Sequence, residues 1–183
     1  MKILASPVAL LFLLLTSPVF CQLGGPNATG MDPQESIVGN AENSDHYKTL
    51  LSVMKAADLE DILNNDGPFT VFAPSDLAFK KLSRDKITAL FLPENKKELQ
   101  TLLTYHIVAG NFSASKILKA MCRGKGTASF TTVQGEEILA SMVGIDIVLT
   151  DSNGNTAKIT TADSNQCNGV IHEIDSVFLP GKI

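Results

Sequence analysis

Three histidines, His46, His106 and His172, are the side chains of this chain best suited to proton transfer or metal ligation. No two are four residues apart, so no helical face carries a His-x-x-x-His chelate. His106 lies in the apolar run Tyr105-His106-Ile107-Val108, and the apolar neighbours Leu102, Leu103, Ile107 and Val108 imply that both rings pack inside. His172 alternates with Val170 and Ile174, which puts all three on one face of a strand. A base assembled from distant residues stays open at this point: a hydrolase or isomerase using His106 or His172 beside a carboxylate. Asp151, Asn153 and Asn155 have the alternation of a calcium loop. That loop needs Gly at its sixth position and Glu at its twelfth, whereas here Gly154 is fourth and Ala162 is twelfth. Gly124-Lys125-Gly126-Thr127 has the ending of a phosphate loop, but Lys119 stands where the first Gly belongs. No Gly-x-Ser-x-Gly elbow occurs. No catalytic residue, metal ligand or cofactor site is assigned.

The elements that carry these residues fall into two halves. In the first, Ser36–Asn40 can form one turn. Asp45 is placed to cap a helix bearing Tyr47, Leu50, Leu51, Met54 and Ala57 at helical period. Phe69–Ala73 behind Pro68 reads as a short apolar strand, and Ser75 caps the next turn. Pro93 opens a helix with the stripe Leu99, Leu102 and Leu103, and Ser113 caps another through Ile117 and Leu118. The second half is strands: Thr127–Val133, Glu137–Met142, Ile145–Thr150, Ala157–Thr161 and Val170–Leu179. Asp151–Asn155 supplies a hairpin connection through its Asn-Gly. Helices followed by a meander of strands give an α+β domain, a sandwich or partly closed sheet packed on helices.

The 183 residues carry 15 basic and 19 acidic side chains, 44% apolar residues and no Trp. No run of Lys/Arg exceeds two, which argues against a nucleic-acid footprint. Met1-Lys2, the apolar stretch Ile3–Leu15 and the exit Thr16-Ser17-Pro18 read as a signal peptide over residues 1–21, its core too short to span a bilayer. Val19 and Cys21 suit ordinary cleavage before Gln22. The rival is a lipoprotein anchored through Cys21, or a periplasmic location. Cleavage leaves 14 cations against 19 carboxylates and two cysteines, Cys122 and Cys167. In an oxidising compartment an even pair suggests one disulfide, worth about 3–4 kcal/mol for a loop of about 45 residues. The alternative is two free thiols. Residues 22–35 read as a flexible lead-in, 36–180 as the domain and 181–183 as a tail. Asn27 and Asn111 stand in Asn-x-Ser/Thr sequons.

Several strings resemble one family. Thr70-Val71-Phe72-Ala73-Pro74-Ser75-Asp76, with Phe79 after it, is similar to the first signature block of fasciclin (FAS1) domains. Tyr105-His106 followed by Gly110 resembles the family's tyrosine–histidine motif. Asn168-Gly169-Val170-Ile171-His172-Glu173-Ile174-Asp175 is similar to its closing block. The resemblance implies a wedge-shaped β-sandwich of about seven strands flanked by short helices. It also implies a secreted or surface role in adhesion or matrix binding, without catalytic residues, and makes Tyr105 and His106 the residues of partner contact. No Arg-Gly-Asp string is present.

The leading expectation is therefore a non-catalytic secreted adhesion module. Its partner is a cell-surface or matrix protein or a polysaccharide, with a homo-oligomer as one way to make two attachments. The alternative is a small-ligand carrier with a pocket lined by residues such as Met121, Met142, Phe112 or Phe130.

Overall fold

The computed structural model describes residues 30–179. The leader, Cys21, the Asn27 sequon and residues 180–183 lie outside them. Seven helices and seven strands follow in the order α1 (Ile37–Glu42), α2 (Lys48–Ala56), α3 (Glu60–Asn65), β1 (Phe69–Pro74), α4 (Asp76–Phe79) and α5 (Arg84–Leu90). After a 3-10 turn at Pro93–Asn95 come α6 (Lys96–Tyr105), β2 (Ile107–Ala109), α7 (Ala114–Arg123), β3 (Thr127–Thr131), β4 (Glu137–Val143), β5 (Asp146–Thr150), β6 (Thr156–Gln166) and β7 (Gly169–Ile174).

The strands form one sheet in the order β2-β1-β7-β6-β5-β4-β3. β1 and β7 pair in parallel from Phe69 opposite Gly169 to Pro74 opposite Ile174, and the other pairings are antiparallel. A bridge between Val108 and Thr132 brings the outer strands β2 and β3 together, so the sheet curls nearly shut. β6 makes this turn affordable sterically. Its register with β7 shifts on either side of Thr161, and Asp163 takes φ 60°. Such irregularities bend a strand and raise its twist.

Strand alternation divides the apolar residues into two cores. Val71, Ala73 and Ile171 join Ile107 and the side chains of α1, α2 and α6 on one face. Phe72 and Ile174, on the other face of the same two strands, pack with Ile117, Met121, Phe130, Ile138 and Leu149 inside the curled sheet. α7 thus fills one face of β1–β7, while α1, α2 and α3 cover the opposite one.

Two local expectations are corrected. Asp45 does not cap α2. The helix starts later, after Tyr47, with no side-chain cap of its own sequence, and Asp45 instead pairs with the exposed Lys48 at 2.8 Å. The free first-turn amide of Thr49 is met by the Asp76 carboxylate, 2.8 Å away and 27 residues later. The Cys122–Cys167 disulfide is not formed, and both thiols are free and exposed. Cys122 lies on α7, packed against β3, whereas Cys167 lies in the β6–β7 turn with its N–H on Glu35 O. In sheet order β3 and β6 are three strand spacings apart, about 14 Å. A disulfide needs Cα atoms within about 7 Å.

Candidate functional site

The residues that carry the sequence motifs converge on the buried seam where the 110–114 loop, β6 and the C-terminal segment meet. Thr70 on β1 is fully buried. Its hydroxyl donates to Gly110 O at 2.6 Å and accepts the Phe112 N–H at 2.9 Å. Phe112 O in turn accepts from His172 Nε2 at 2.7 Å, and His172 Nδ1 accepts the Asp163 N–H at 3.2 Å. The Asp163 carboxylate holds the Ala114 N–H at the start of α7, 2.7 Å away. A backbone N–H can only donate and a carbonyl only accept, so His172 is fixed as the neutral Nε2–H tautomer. Burial pushes its pKa down, partly opposed by the Phe112 carbonyl and by Asp163.

His106 follows the same logic at the end of α6. Nδ1–H donates to Leu102 O at 2.8 Å, and Nε2 accepts the Phe178 N–H at 3.0 Å. The ring packs on Phe178 with centroids 5.5 Å apart. Burial lowers its pKa to about 4, against smaller upward pulls from the Leu102 carbonyl and Asp151. Tyr105 and His106 are each only 1% exposed. The Tyr105 hydroxyl accepts the Ser152 N–H at 3.3 Å, inside the β5–β6 turn. A partner approaching this region meets neighbouring residues, not these rings. Both imidazoles have both nitrogens occupied by main-chain groups, and no carboxylate is hydrogen-bonded to either.

The remaining signature positions also hold the fold together. The Asn168 side chain accepts from Ile37 N at 3.0 Å and donates to Leu63 O and Asp66 O at 2.7 and 3.0 Å, tying α1 and α3 to the β7 entry. Gly169 is required by close approach, since a Cβ there would lie 2.1 Å from Phe69 O. The Asp175 carboxylate accepts from Lys158 N at 2.8 Å and from Lys81 Nζ at 3.1 Å. Burial alone raises its pKa, but those donors outweigh it and hold the carboxyl below its usual value. Phe72, Ala73 and Phe79 are core residues, and Pro74 ends β1 before the Ser75 cap. In the Asp151–Asn155 turn the Asp151 carboxylate accepts from Asn153 N, Asn155 N and Asn155 Nδ2 at 2.7–2.9 Å. Amide donors thus occupy the lone pairs a cation would use.

The surface offers three features. An apolar cavity of about 120 Å³ has Leu63, Phe69 and Ile107 as its floor and Ile62 and Val133 on its rim. An acidic cleft between α1 and α3 carries Glu35, Glu42, Glu60 and Asp61. The third is the β4–β5 hairpin. Gly144, at φ 63°, turns the chain, and Val143 and Ile145 beside it are 62% and 93% exposed. Sequence reasoning ended one strand at Met142 and began the next at Ile145, leaving Val143-Gly144 between them; the structure extends β4 to Val143 and starts β5 at Asp146, so Ile145 falls in the turn. The residues named for a ligand pocket do not surround one space. Met121 and Phe130 are core, Phe112 packs edge-on to Phe130 at 5.1 Å, and Met142 is exposed on β4. Asn111 is half-buried in the turn after Gly110, its carbonyl bonded to Lys116 Nζ at 2.6 Å.

Comparison with known proteins places this architecture. The chain is 38% identical over 153 residues to Protein sll1483 of Synechocystis sp., covering 81% of this chain and 76% of that protein. It is 29% identical over 161 residues to the cell surface glycolipoprotein MPB83 of Mycobacterium bovis, covering 85% and 66%. Its fold matches the FAS1 domain pair of the insect cell adhesion molecule fasciclin I with a TM-score of 0.71 at 21% identity, over 81% of this chain and 52% of that one. The family model for the fasciclin domain matches residues 45–180, which include all three signature strings and the whole curled sheet, and the chain belongs to the fasciclin domain family.

Proposed function

We propose that this protein is a non-catalytic, exported adhesion module that holds a cell-surface or matrix protein or a polysaccharide through its exposed surface. One observation carries the reading. Thr70, His106 and His172, buried polar residues of the family's signature strings, spend their hydrogen bonds on the domain's own backbone, so none of them is presented to a substrate. Tyr105 and His106 then act as pins of the fold, and recognition falls to residues around them. Surface relatives of the family support the same direction. The domain spans 36–180, delivered by the leader at 1–21, with Asn27 and Asn111 as glycan acceptors where the host glycosylates. The apolar cavity, at about 120 Å³, falls short of the roughly 300 Å³ and more of small-molecule sites, so ligand carriage gains no support from it.

The test is retention of the mature chain on intact cells and on immobilised matrix proteins and polysaccharides, measured by surface plasmon resonance. Saturable retention by one of these surfaces is expected. Indifference to all of them would sink the adhesion reading, as would turnover of an ester or glycoside substrate that disappears in a His106→Gln or His172→Gln variant that still folds.

A further inference from the structure

We propose that the β4–β5 hairpin and the C-terminal part of α7 form a docking surface for an anionic lipid bilayer. This goes beyond the adhesion reading above, adding a lipid surface to the protein or polysaccharide partner named there, and it rests on that reading only for export to a surface. The hairpin presents Val143 and Ile145 to solvent, with Met142 partly exposed beside them opposite Ile147, and Ile145 is nearly as exposed as in an unfolded chain. Thr127 pairs with Ser141, so the loop just before β3 lies beside the last residues of β4. The Gly126 N–H bonds to Met121 O at 2.8 Å, which folds that loop back onto α7. Arg123 and Lys125 therefore flank the hairpin tip, with Lys119 one turn earlier on α7.

Charge decides the occupant. From Ala114 to Gly135 the chain has four cations and no carboxylate, although the whole chain is net −4. Lys119, Arg123 and Lys125 have no ion-pair partner among the described residues. Of the carboxylates on β5 and β6, Asp146 at the hairpin pairs with Lys158 at 2.7 Å, and Asp163 holds the α7 amide. An acidic polysaccharide would use the cations but has no use for the aliphatic tip. A second copy offers its acidic cleft, which is lined by polar groups with Val38 as its one apolar side chain. An anionic bilayer uses both features, burying two or three aliphatic side chains in the acyl boundary while phosphates meet the cations.

The experiment is co-sedimentation of the mature chain with vesicles of phosphatidylcholine alone and of phosphatidylcholine mixed with phosphatidylglycerol. The expected result is partition into the mixed vesicles only, weakening as salt rises and the Debye length shrinks. A Val143→Ser, Ile145→Ser double variant should lose at least about tenfold in partition. Each of Lys119→Glu, Arg123→Glu and Lys125→Glu should lose about fivefold or more. Thermal melting should be unchanged in all of them, because none of these side chains is in the core. No partition into the mixed vesicles overturns the proposal, as does partition that the tip variant leaves intact. So does concentration-dependent self-association that the tip variant abolishes, or retention on an acidic polysaccharide lost only in the charge variants. Vesicle binding absent while the chain still holds to cells or matrix overturns this inference and spares the adhesion reading, whereas loss of both overturns both.

Discussion

Replacing His106 with Gln should flatten the acid side of the stability curve while lowering its neutral plateau. In the folded chain burial holds the imidazole near pKa 4, against 6.5 for the free side chain. Between those values the unfolded chain binds the proton and the folded one does not. Stability is therefore full above about pH 6.5 and is lost as pH falls toward about 4. The ring is completely buried, so no discount for solvent screening applies. At 1.36 kcal/mol per pKa unit the loss is about 3 kcal/mol. Gln at 106 can accept the Phe178 N–H through its amide oxygen but leaves Leu102 O without its donor, a cost of about 2 kcal/mol at neutral pH. The two effects cancel near about pH 5, where the wild-type and variant curves should meet. Urea unfolding followed by circular dichroism at half-unit steps from pH 4 to 8 measures both curves. Burial also depresses His172, with the same sign, but it contributes equally to both chains and drops out of the difference. Parallel curves would refute the reasoning. So would a His106 imidazole resonance titrating near its ordinary value in the native state.

Three further perturbations test the local accounts. Gly169→Ala should cost about 3 kcal/mol, because its Cβ meets the Phe69 backbone on the paired strand. Gly154→Ala, with open space around it but φ 83°, should cost only about 1 kcal/mol, both read from urea midpoints. Asp76→Ala removes the acceptor of the Thr49 N–H and should cost about 1 kcal/mol, whereas Asp45→Ala should stay within about 0.5 kcal/mol; equal effects would reinstate Asp45 as the cap. The mature chain should titrate two thiols with a thiol-reactive dye in the native state, and Cys122→Ser with Cys167→Ser should leave stability within about 0.5 kcal/mol. A tryptic peptide pair joined through Cys122 and Cys167 would contradict this.

What the sequence revealed and what it hid follow from the range of the forces involved. β1 was legible because five apolar or β-branched residues stand between Pro68 and Pro74, and both prolines punctuate it. The common face of Val170, His172 and Ile174 followed from period two alone, and all three are buried. The burial of His106 followed from its neighbours. The second half of β6 was not legible. Ala162-Asp163-Ser164-Asn165-Gln166 has neither alternation nor β propensity, and its strand conformation is imposed by β7 and by the buried Gln166 side chain, which donates to Ser164 O and accepts from Asn40 Nδ2. The α2 cap failed for a similar reason: a local rule offered Asp45, and a residue 27 positions away in sequence supplied the oxygen. The cysteine pair failed because parity and compartment say nothing of separation, which only the strand order sets. The aliphatic tip was hidden because a run of apolar residues looks buried whether or not anything covers it.

The division between fold and recognition has a physical basis. A buried polar side chain lowers the free energy of one arrangement only, the one in which all its partners are in place. Buried Thr70, His106 and His172, with half-buried Asn168, each join segments distant in sequence, so a slipped register of β1 or β7 would leave several of them unsatisfied at once. Such positions are poor sites for adapting to a partner. The surface has no such constraint. The acidic cleft lies among the helices on one face of β1–β7, and the carboxylate-free stretch from Ala114 to Gly135 begins on α7 at the other. An anionic surface attracts the four cations of that stretch within about a Debye length. The aliphatic tip stands beside those cations, so the orientation chosen by long-range attraction is also the one that brings Val143 and Ile145 into contact.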